Sequence, residues 1–151
     1  MKLIFALLIT LVGCTKNPFA VKNTVPLYGA HQSGWSKHLF VEVELNGKGP
    51  HLFLISPSIS TSRIHPNAAK EIGLSVQQKS NEQSFVKVDI GVADQIISDQ
   101  ALGLGSEDMP NSVSAVPLVG YLGSDFLHHF IVDMNYAQQK LRLHKKQSKG
   151  I

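Results

Sequence analysis

The stretch FLISPSISTS, residues 53–62, contains the residues that decide the fold of this chain. An apolar run, Phe53-Leu54-Ile55, leads into a turn of small residues, Ser56-Pro57-Ser58. This is the outline of a strand that delivers a loop to a site. A serine stands at the delivery point, where an acid would be expected for acid–base chemistry. The loop by itself therefore offers hydroxyl groups and no ionised group.

The residues before this stretch predict a β-hairpin. In HLFVEVELNGKGPHLFLIS, residues 38–56, Val41, Val43 and Leu45 alternate with two glutamates. This period of two is typical of a half-buried strand. Asn46-Gly47 predicts a tight turn, because both residues tolerate a positive φ, and residues 48–50 are expected to extend this loop. Residues 52–55 then form the returning strand.

Short elements of both kinds are predicted after the quoted stretch. Residues 66–72 predict a helix with proline in its first turn and Gly73 as its stop, and residues 126–130 predict a second helix capped by Ser124-Asp125. The predicted strands are residues 85–90, a piece that starts at 96–97, the apolar run 116–122, and a last hairpin of 131–136 and 141–143. Residues 75–84 and 103–112 are polar or glycine-rich and predict turns and loops. Many short strands with two short helices indicate a single, mostly β domain.

The first residues predict a bacterial lipoprotein signal. Residues 3–12 form an apolar run that has the length of a signal-peptide core and is too short to span a bilayer as a mature helix. The run ends in Leu11-Val12-Gly13-Cys14, which resembles a lipobox, and Cys14 is the only cysteine. An ordinary secretory leader or a buried N-terminal strand are the alternatives. Thr15 follows the cysteine where an aspartate is linked to inner-membrane retention in enteric bacteria, and by resemblance to that sorting rule an outer-membrane address, on the periplasmic side, is slightly favoured. The predicted organisation is a signal peptide (1–13), a lipidated tether (14–37), a folded domain (38–144) and a basic tail (145–151).

Charge and motif spacing argue against several function classes. The net charge is +3 among 151 residues and the basic residues form no stripe, which argues against nucleic-acid binding. Seven histidines show no ligand spacing, and the adjacent His128 and His129 would lie on different faces of a helix, so no metal site is expected. GLGSED, residues 103–108, lacks the third glycine and the lysine of a phosphate loop. The sequence thus predicts no cofactor.

The order of four segments resembles a retroviral-type, or retropepsin-like, aspartic protease domain of the bacterial kind. VEVELNGKGPHLFLI resembles the opening hairpin of that family, and STSRIHPNAAKEIGL resembles the segment after its catalytic loop. GYLGSDFL resembles its hydrophobic-hydrophobic-Gly motif with the following helix. FIVDMNYAQQKLRL resembles its closing hairpin, with Asp133, Tyr136, Leu141 and Leu143 at the usual positions. The resemblance spans residues 38–143 and implies a single retropepsin-like barrel, equivalent to half of a pepsin, that pairs as a homodimer.

The resemblance fails at the residues that carry the chemistry. Ser56, Pro57, Ser58 and Ile59 stand where the family has Asp, Thr, Gly and Ala. In the family, two such loops contribute one aspartate each, and the pair shares a proton and activates a water. A serine hydroxyl does not ionise at the pH at which such an aspartate pair works. The sequence therefore predicts no catalytic residue in this degenerate loop.

Neither other acids nor the serines themselves supply a convincing replacement. Asp125 resembles the structural aspartate at the start of the family's last helix, where an N-cap role is expected, and Asp89 and Asp133 belong to other strands. The serines of residues 56–62 lack the motifs that accompany a nucleophilic serine. The segment 75–84 is also short and polar for a flap over substrate, so a flap would be reduced or supplied by residues 103–115.

The leading hypothesis is a cell-envelope lipoprotein whose protease-like domain lacks protease activity. Such a domain would act as a binding or assembly module for an extended peptide or an envelope protein. The first alternative is an active aspartic protease, completed by a partner subunit with an intact loop or by a relocated carboxylate. The second alternative is a structural component of an envelope complex.

Overall fold

The computed structural model describes residues 24–26, 28–29, 39–78, 83–106, 109, 112–113, 116–135 and 137–146. The predicted signal peptide, Cys14 and Tyr136 lie outside these residues. No helix within the described ranges is long and apolar enough to cross a membrane.

Strands dominate the described residues. They are β1 (Thr24–Pro26), β2 (Tyr28–Gly29), β3 (Leu39–Leu45), β4 (Lys48–Ile55), β5 (Arg63–Ile64), β6 (Val76–Gln78), β7 (Ser84–Val92), β8 (Gln95–Leu104), β9 (Ser112–Val113), β10 (Val116–Pro117), β11 (Gly120–Leu122), β12 (Phe130–Asn135) and β13 (Lys140–Lys145). The helices are α1 (Pro66–Ile72) and α2 (Ser124–Leu127). The prediction of a mostly β domain with two short helices is confirmed.

Six strands close into a barrel. Their order is β3-β4-β11-β5-β8-β7, and β7 pairs back onto β3 through Glu44 opposite Gly91 and Leu45 opposite Ile90. Because β7 and β3 pair with each other, neither strand presents a free edge where the barrel closes. β2 and β6 extend the sheet beyond the barrel, and β1, β13 and β12 form a separate three-stranded sheet.

Alternate residues of the long strands fill the barrel. Val41, Val43 and Leu45 of β3 are buried, as the period of two predicts, whereas the intervening Glu42 and Glu44 are exposed. Burial of such side chains is the main favourable term for a domain of this size. The core also contains buried residues from β7, β8, β11, α2 and β13, which are Val86, Val88, Ile90, Leu102, Leu122, Phe126, Leu141 and Leu143.

The first hairpin confirms the turn prediction and corrects the loop. Asn46 and Gly47 have φ values of 51° and 72°, which is the positive-φ pair that a tight hairpin turn needs. The loop does not extend over residues 48–50, because β4 already begins at Lys48 and Leu45 pairs with Lys48. A two-residue turn matches the twist of the flanking strands, so no longer connection is required.

Helix α1 follows the sequence prediction. Pro66 occupies its first turn, and Gly73 ends it with a φ of 78° while donating its N–H to the carbonyls of Ala69 and Lys70. The buried His65 caps the other end, since its Nδ1 accepts a hydrogen bond of 3.2 Å from Asn67 N. Each end of the helix therefore has a local capping hydrogen bond.

Two segments that were predicted to be unstructured contain strands. Val76–Gln78 lies in the predicted turn of residues 75–84 and pairs with β7. Thr24–Pro26 and Tyr28–Gly29 lie in the predicted tether, and they pair with β13 and β3. Such short segments carry no alternation of their own, so only the neighbouring strands determine their conformation. At residues 24–26 and 28–29 the chain forms paired strands and not the irregular backbone that the sequence predicts.

Candidate functional site

The loop that begins at Ser56 lies where three strands meet. β11 runs parallel to β4, with Leu122 opposite Ile55, and antiparallel to β5, with Gly120 opposite Ile64. It thus lies between two strands that precede and follow the loop in the chain. The carbonyl of Leu122 accepts a hydrogen bond of 2.9 Å from Ser56 N, which fixes the start of the loop on β11.

The loop itself is a tight turn whose polar side chains are serine hydroxyl groups. Ile59 N donates to the carbonyl of Ser56 at 3.0 Å, which closes the turn, and Pro57 and Ser58 are exposed. The hydroxyl oxygens of Ser56 and Ser58 lie 3.3 Å apart, within hydrogen-bonding distance. Residues 56–60 contain no carboxylate, so this turn offers a polar surface without an acid or a base.

A glycine allows the second half of the loop to approach α2. A Cβ atom on Gly123 would lie 2.5 Å from the carbonyl oxygen of Ile59 and 3.1 Å from Ser62 N. That space is filled by backbone, which cannot move aside as a flexible side chain can. Ser124 N donates to the carbonyl of Ile59 at 2.8 Å. The Leu122-Gly123 pair therefore packs directly against the loop.

Asp125 and Ser62 hold the end of the loop in place. Both carboxylate oxygens of Asp125 lie 2.9 Å from Ser62 N, and the hydroxyl of Ser62 donates to Oδ1 at 2.5 Å. The same hydroxyl accepts a hydrogen bond of 2.8 Å from Gly123 N. Ser62 is fully buried, so these contacts satisfy groups that water cannot reach.

The predicted N-cap role of Asp125 is wrong. The N-cap of α2 is Gly123, which has no side-chain cap, and α2 covers 124–127 rather than 126–130. Asp125 lies within the first turn, where its Oδ1 also accepts a hydrogen bond of 2.8 Å from Phe126 N. The carboxylate reaches a residue 63 positions earlier in the chain, a partner that helix-capping rules do not consider.

The other acids considered lie on other hairpins. Asp89 accepts a hydrogen bond of 2.9 Å from Asp99 N within the β7–β8 hairpin, and Asp133 lies opposite Arg142 in the β12–β13 hairpin. No group of three or more potential metal ligands occurs among the described residues. His128 and His129 are both exposed at the end of α2, whereas His31 and His38 lie outside the described part of the chain.

Burial shifts the pKa values of two side chains on the strands beside the loop. Tyr121 of β11 packs against a second apolar cluster formed by Phe40, Leu54 and Leu118, and this burial raises the pKa of its phenol. Burial lowers the pKa of His51, whose Nε2 is buried without a hydrogen-bond partner. Desolvation disfavours the charged form in both cases.

A groove opens between the loop and a short hairpin. β6 and β7 pair at three positions, from Val76 opposite Val86 to Gln78 opposite Ser84. The groove has a volume of about 900 Å³. Its walls come from Thr61 and Arg63 after the loop and from residues 83–85 at the start of β7, and the end of β8 forms its floor.

Solved structures with a similar fold include the following two. A retropepsin-like aspartic protease from Rickettsia conorii superposes with a TM-score of 0.54 over 80% of this chain and 87% of its own, at 13% sequence identity. The retroviral protease-like domain of Ddi1 from Leishmania major superposes with a TM-score of 0.51 over 76% of this chain and 98% of its own, at 11% identity. This domain has the retropepsin-like fold. No protein-family model and no curated protein matches the sequence.

The resemblance of the sequence anticipated this retropepsin-like fold but not the contacts that stabilise its loop. Ser62 was grouped with the other serines of residues 56–62, yet it alone is buried and bonded to Asp125. No local pattern distinguishes Ser62 from the other serines, because the sequence predicts no strand at residues 63–64. A polar residue buried there requires a partner, and only the folded chain identifies it.

Proposed function

We propose that this chain is a cell-envelope lipoprotein whose retropepsin-like domain binds an extended peptide and does not cleave it. The observation that carries the proposal is the composition of the loop at Ser56, which presents hydroxyl groups 3.3 Å apart and no carboxylate. Aspartic protease chemistry needs two carboxyl groups that share a proton. Two copies of this loop would bring serines together instead.

The carboxylate of Asp125, the acid closest in sequence to β11, is already bonded to protein donors. Asp125 accepts hydrogen bonds from Ser62 N, Ser62 Oγ and Phe126 N. A general base has to accept a proton from water, and this carboxylate already has its oxygens directed at protein donors. Its role in the proposal is to hold the loop, and relocation of the catalytic acid to this position is disfavoured.

The features that favour peptide binding are an edge strand, β6, and the groove lined by the start of β7, the strand with which β6 pairs. Within the described residues β6 pairs on one side only, with β7, and all three of its residues are exposed. An extended peptide can add to such an edge through backbone hydrogen bonds, and pockets next to the edge then select side chains. The groove can receive a side chain or a segment of such a peptide, and this binding does not require cleavage.

A cleavage assay with a restored loop tests the loss of activity. The chain purified from membranes is incubated with unfolded protein at pH 3 to 8, beside the variant Ser56→Asp/Pro57→Thr/Ser58→Gly. We expect no cleavage by the unaltered chain. Pepstatin-sensitive cleavage by the variant would show that the three loop residues are all that the unaltered chain lacks for protease activity. Cleavage by the unaltered chain that disappears in Asp125→Asn, Asp89→Asn or Asp133→Asn would overturn the proposal.

Anchoring and assembly are tested separately. Cys14→Ser should abolish incorporation of labelled palmitate and release the protein from the membrane fraction, because multiple acyl chains anchor a protein stably. Retention of the label in this variant would contradict the lipoprotein proposal.

A homodimer is proposed by analogy with the retropepsin-like fold, and sedimentation of the purified chain over a range of concentrations measures its oligomeric state.

A further inference from the structure

The groove beside the loop has an uneven distribution of charge. Its lining contains two cationic side chains, Arg63 and Lys87, and no aspartate or glutamate. Lys87 Nζ lies 2.8 Å from Asp99 Oδ2, so its charge is partly balanced by a carboxylate outside the lining. Arg63 is the cation of the lining whose charge is not balanced in this way.

Arg63 is exposed and has no partner for its guanidinium among the described residues. It lies opposite Gly103 in the parallel pairing of β5 and β8, and a Cβ on Gly103 would be 3.8 Å from Arg63 Cγ. The stem of the arginine therefore passes a position of β8 that carries no side chain. A guanidinium in this position presents several N–H donors to whatever enters the groove.

The other lining residues suit an extended chain. Phe85 and Pro66 supply apolar surface, and Thr61, Gln83 and Ser84 supply polar groups. Gly103 has no side chain, which lets a main chain approach the floor at that position. A planar guanidinium pairs with a carboxylate through two parallel hydrogen bonds, which gives both orientation and selectivity.

From this charge distribution we infer that the groove selects a peptide with an aspartate or glutamate side chain, which Arg63 binds. The inference rests on the proposed function and adds a ligand class to it. The acidic side chain lies over Gly103, and the adjoining peptide residues contact Phe85 and Pro66.

A library of random heptapeptides displayed on phage provides the test. It is panned on the purified full chain, and selected peptides are synthesised with their acidic residue and with the matching amide. We expect an aspartate or glutamate at one fixed position, with the amide peptide binding about tenfold more weakly. The preference should weaken as ionic strength rises.

Three variants locate the effect. Arg63→Gln should remove the preference for the acidic peptide, and Arg142→Gln, which alters the only other arginine, should retain it. Gly103→Val should prevent binding, because its Cβ has room and its methyl groups would occupy space beside Arg63 and Thr61, which line the groove. If Gly103→Val does not fold, the comparison of the two arginine variants decides alone.

The outcomes separate the inference from the proposed function. A preference that persists in Arg63→Gln, or binding that survives in folded Gly103→Val, overturns the assignment to this groove. Selected peptides that are neutral, and that Gly103→Val blocks, overturn the carboxylate inference and leave peptide binding intact. Selection of no peptide at all overturns both.

Discussion

Removal of the Asp125 carboxylate should destabilise the fold far more than removal of a helix cap. In Asp125→Ala, the fully buried Ser62 loses the acceptor for its N–H and the acceptor for its hydroxyl. A buried donor without a partner costs about 1 to 3 kcal/mol, so we expect the free energy of unfolding to fall by about 3 kcal/mol. The loss of an N-cap would cost about 1 kcal/mol.

Urea unfolding of the full chain measures this difference. With an m value of about 1.5 kcal/mol per molar urea, the midpoint should fall by about 2 M. Asp125→Asn keeps one acceptor oxygen, and we expect it to lose about half as much stability. The control is Asp133→Ala, an exposed aspartate on β12, which should change the free energy by less than about 0.5 kcal/mol.

A double-mutant cycle then shows whether Asp125 acts through Ser62. Ser62→Ala removes the hydroxyl that donates to Asp125 and that accepts from Gly123 N. Because both substitutions break the same contacts, the double variant should be more stable than the sum of the single effects predicts, by about 1 kcal/mol. Additive losses, or a loss below about 1 kcal/mol in Asp125→Ala, would refute the reasoning.

Three further substitutions test neighbouring features. Gly123→Ala should lower the unfolding midpoint sharply, because the new Cβ would lie 2.5 Å from the carbonyl oxygen of Ile59; an unchanged midpoint would contradict that close contact. Gly73→Ala should cost about 1 kcal/mol, since only its φ of 78° opposes a side chain and the space around it is open, and thermal unfolding measures the loss. Burial lowers the pKa of His51 below 6.5, so the folded state resists protonation and stability should decrease as pH falls below that value. His51→Gln should flatten this part of the pH profile of urea midpoints, and an unchanged slope would assign it to another group.

Local patterns predicted the elements that depend on local geometry. The alternation of Val41, Val43 and Leu45 identified the buried face of β3, and Asn46-Gly47 identified its turn, because side-chain direction and positive φ are properties of neighbouring residues. Gly73 likewise marked the end of α1. The strands at 24–26 and 76–78 escaped prediction because short segments without alternation form only on a neighbour.

For the candidate site, too, the sequence predicted what depends on composition and did not predict contacts between distant residues. The sequence revealed that the loop at Ser56 has hydroxyl groups and no acid, since that is a matter of composition. It did not reveal that Ser62 and Asp125 are partners, nor that Arg63 and Gly103 line the same groove. Each of these depends on where β11 and β8 pair relative to β5.

The sequence alone determined which residues this protein has available for chemistry, and it determined the hairpins and helix whose geometry is set within a few residues. Only the tertiary structure decided which distant groups meet. Ser62 and Asp125 are 63 residues apart, and they are joined because the parallel pairing of β11 with β4 carries Gly123 and α2 to the end of the loop. Strand pairing between distant segments is a property of the closed barrel, which no local period or turn residue specifies.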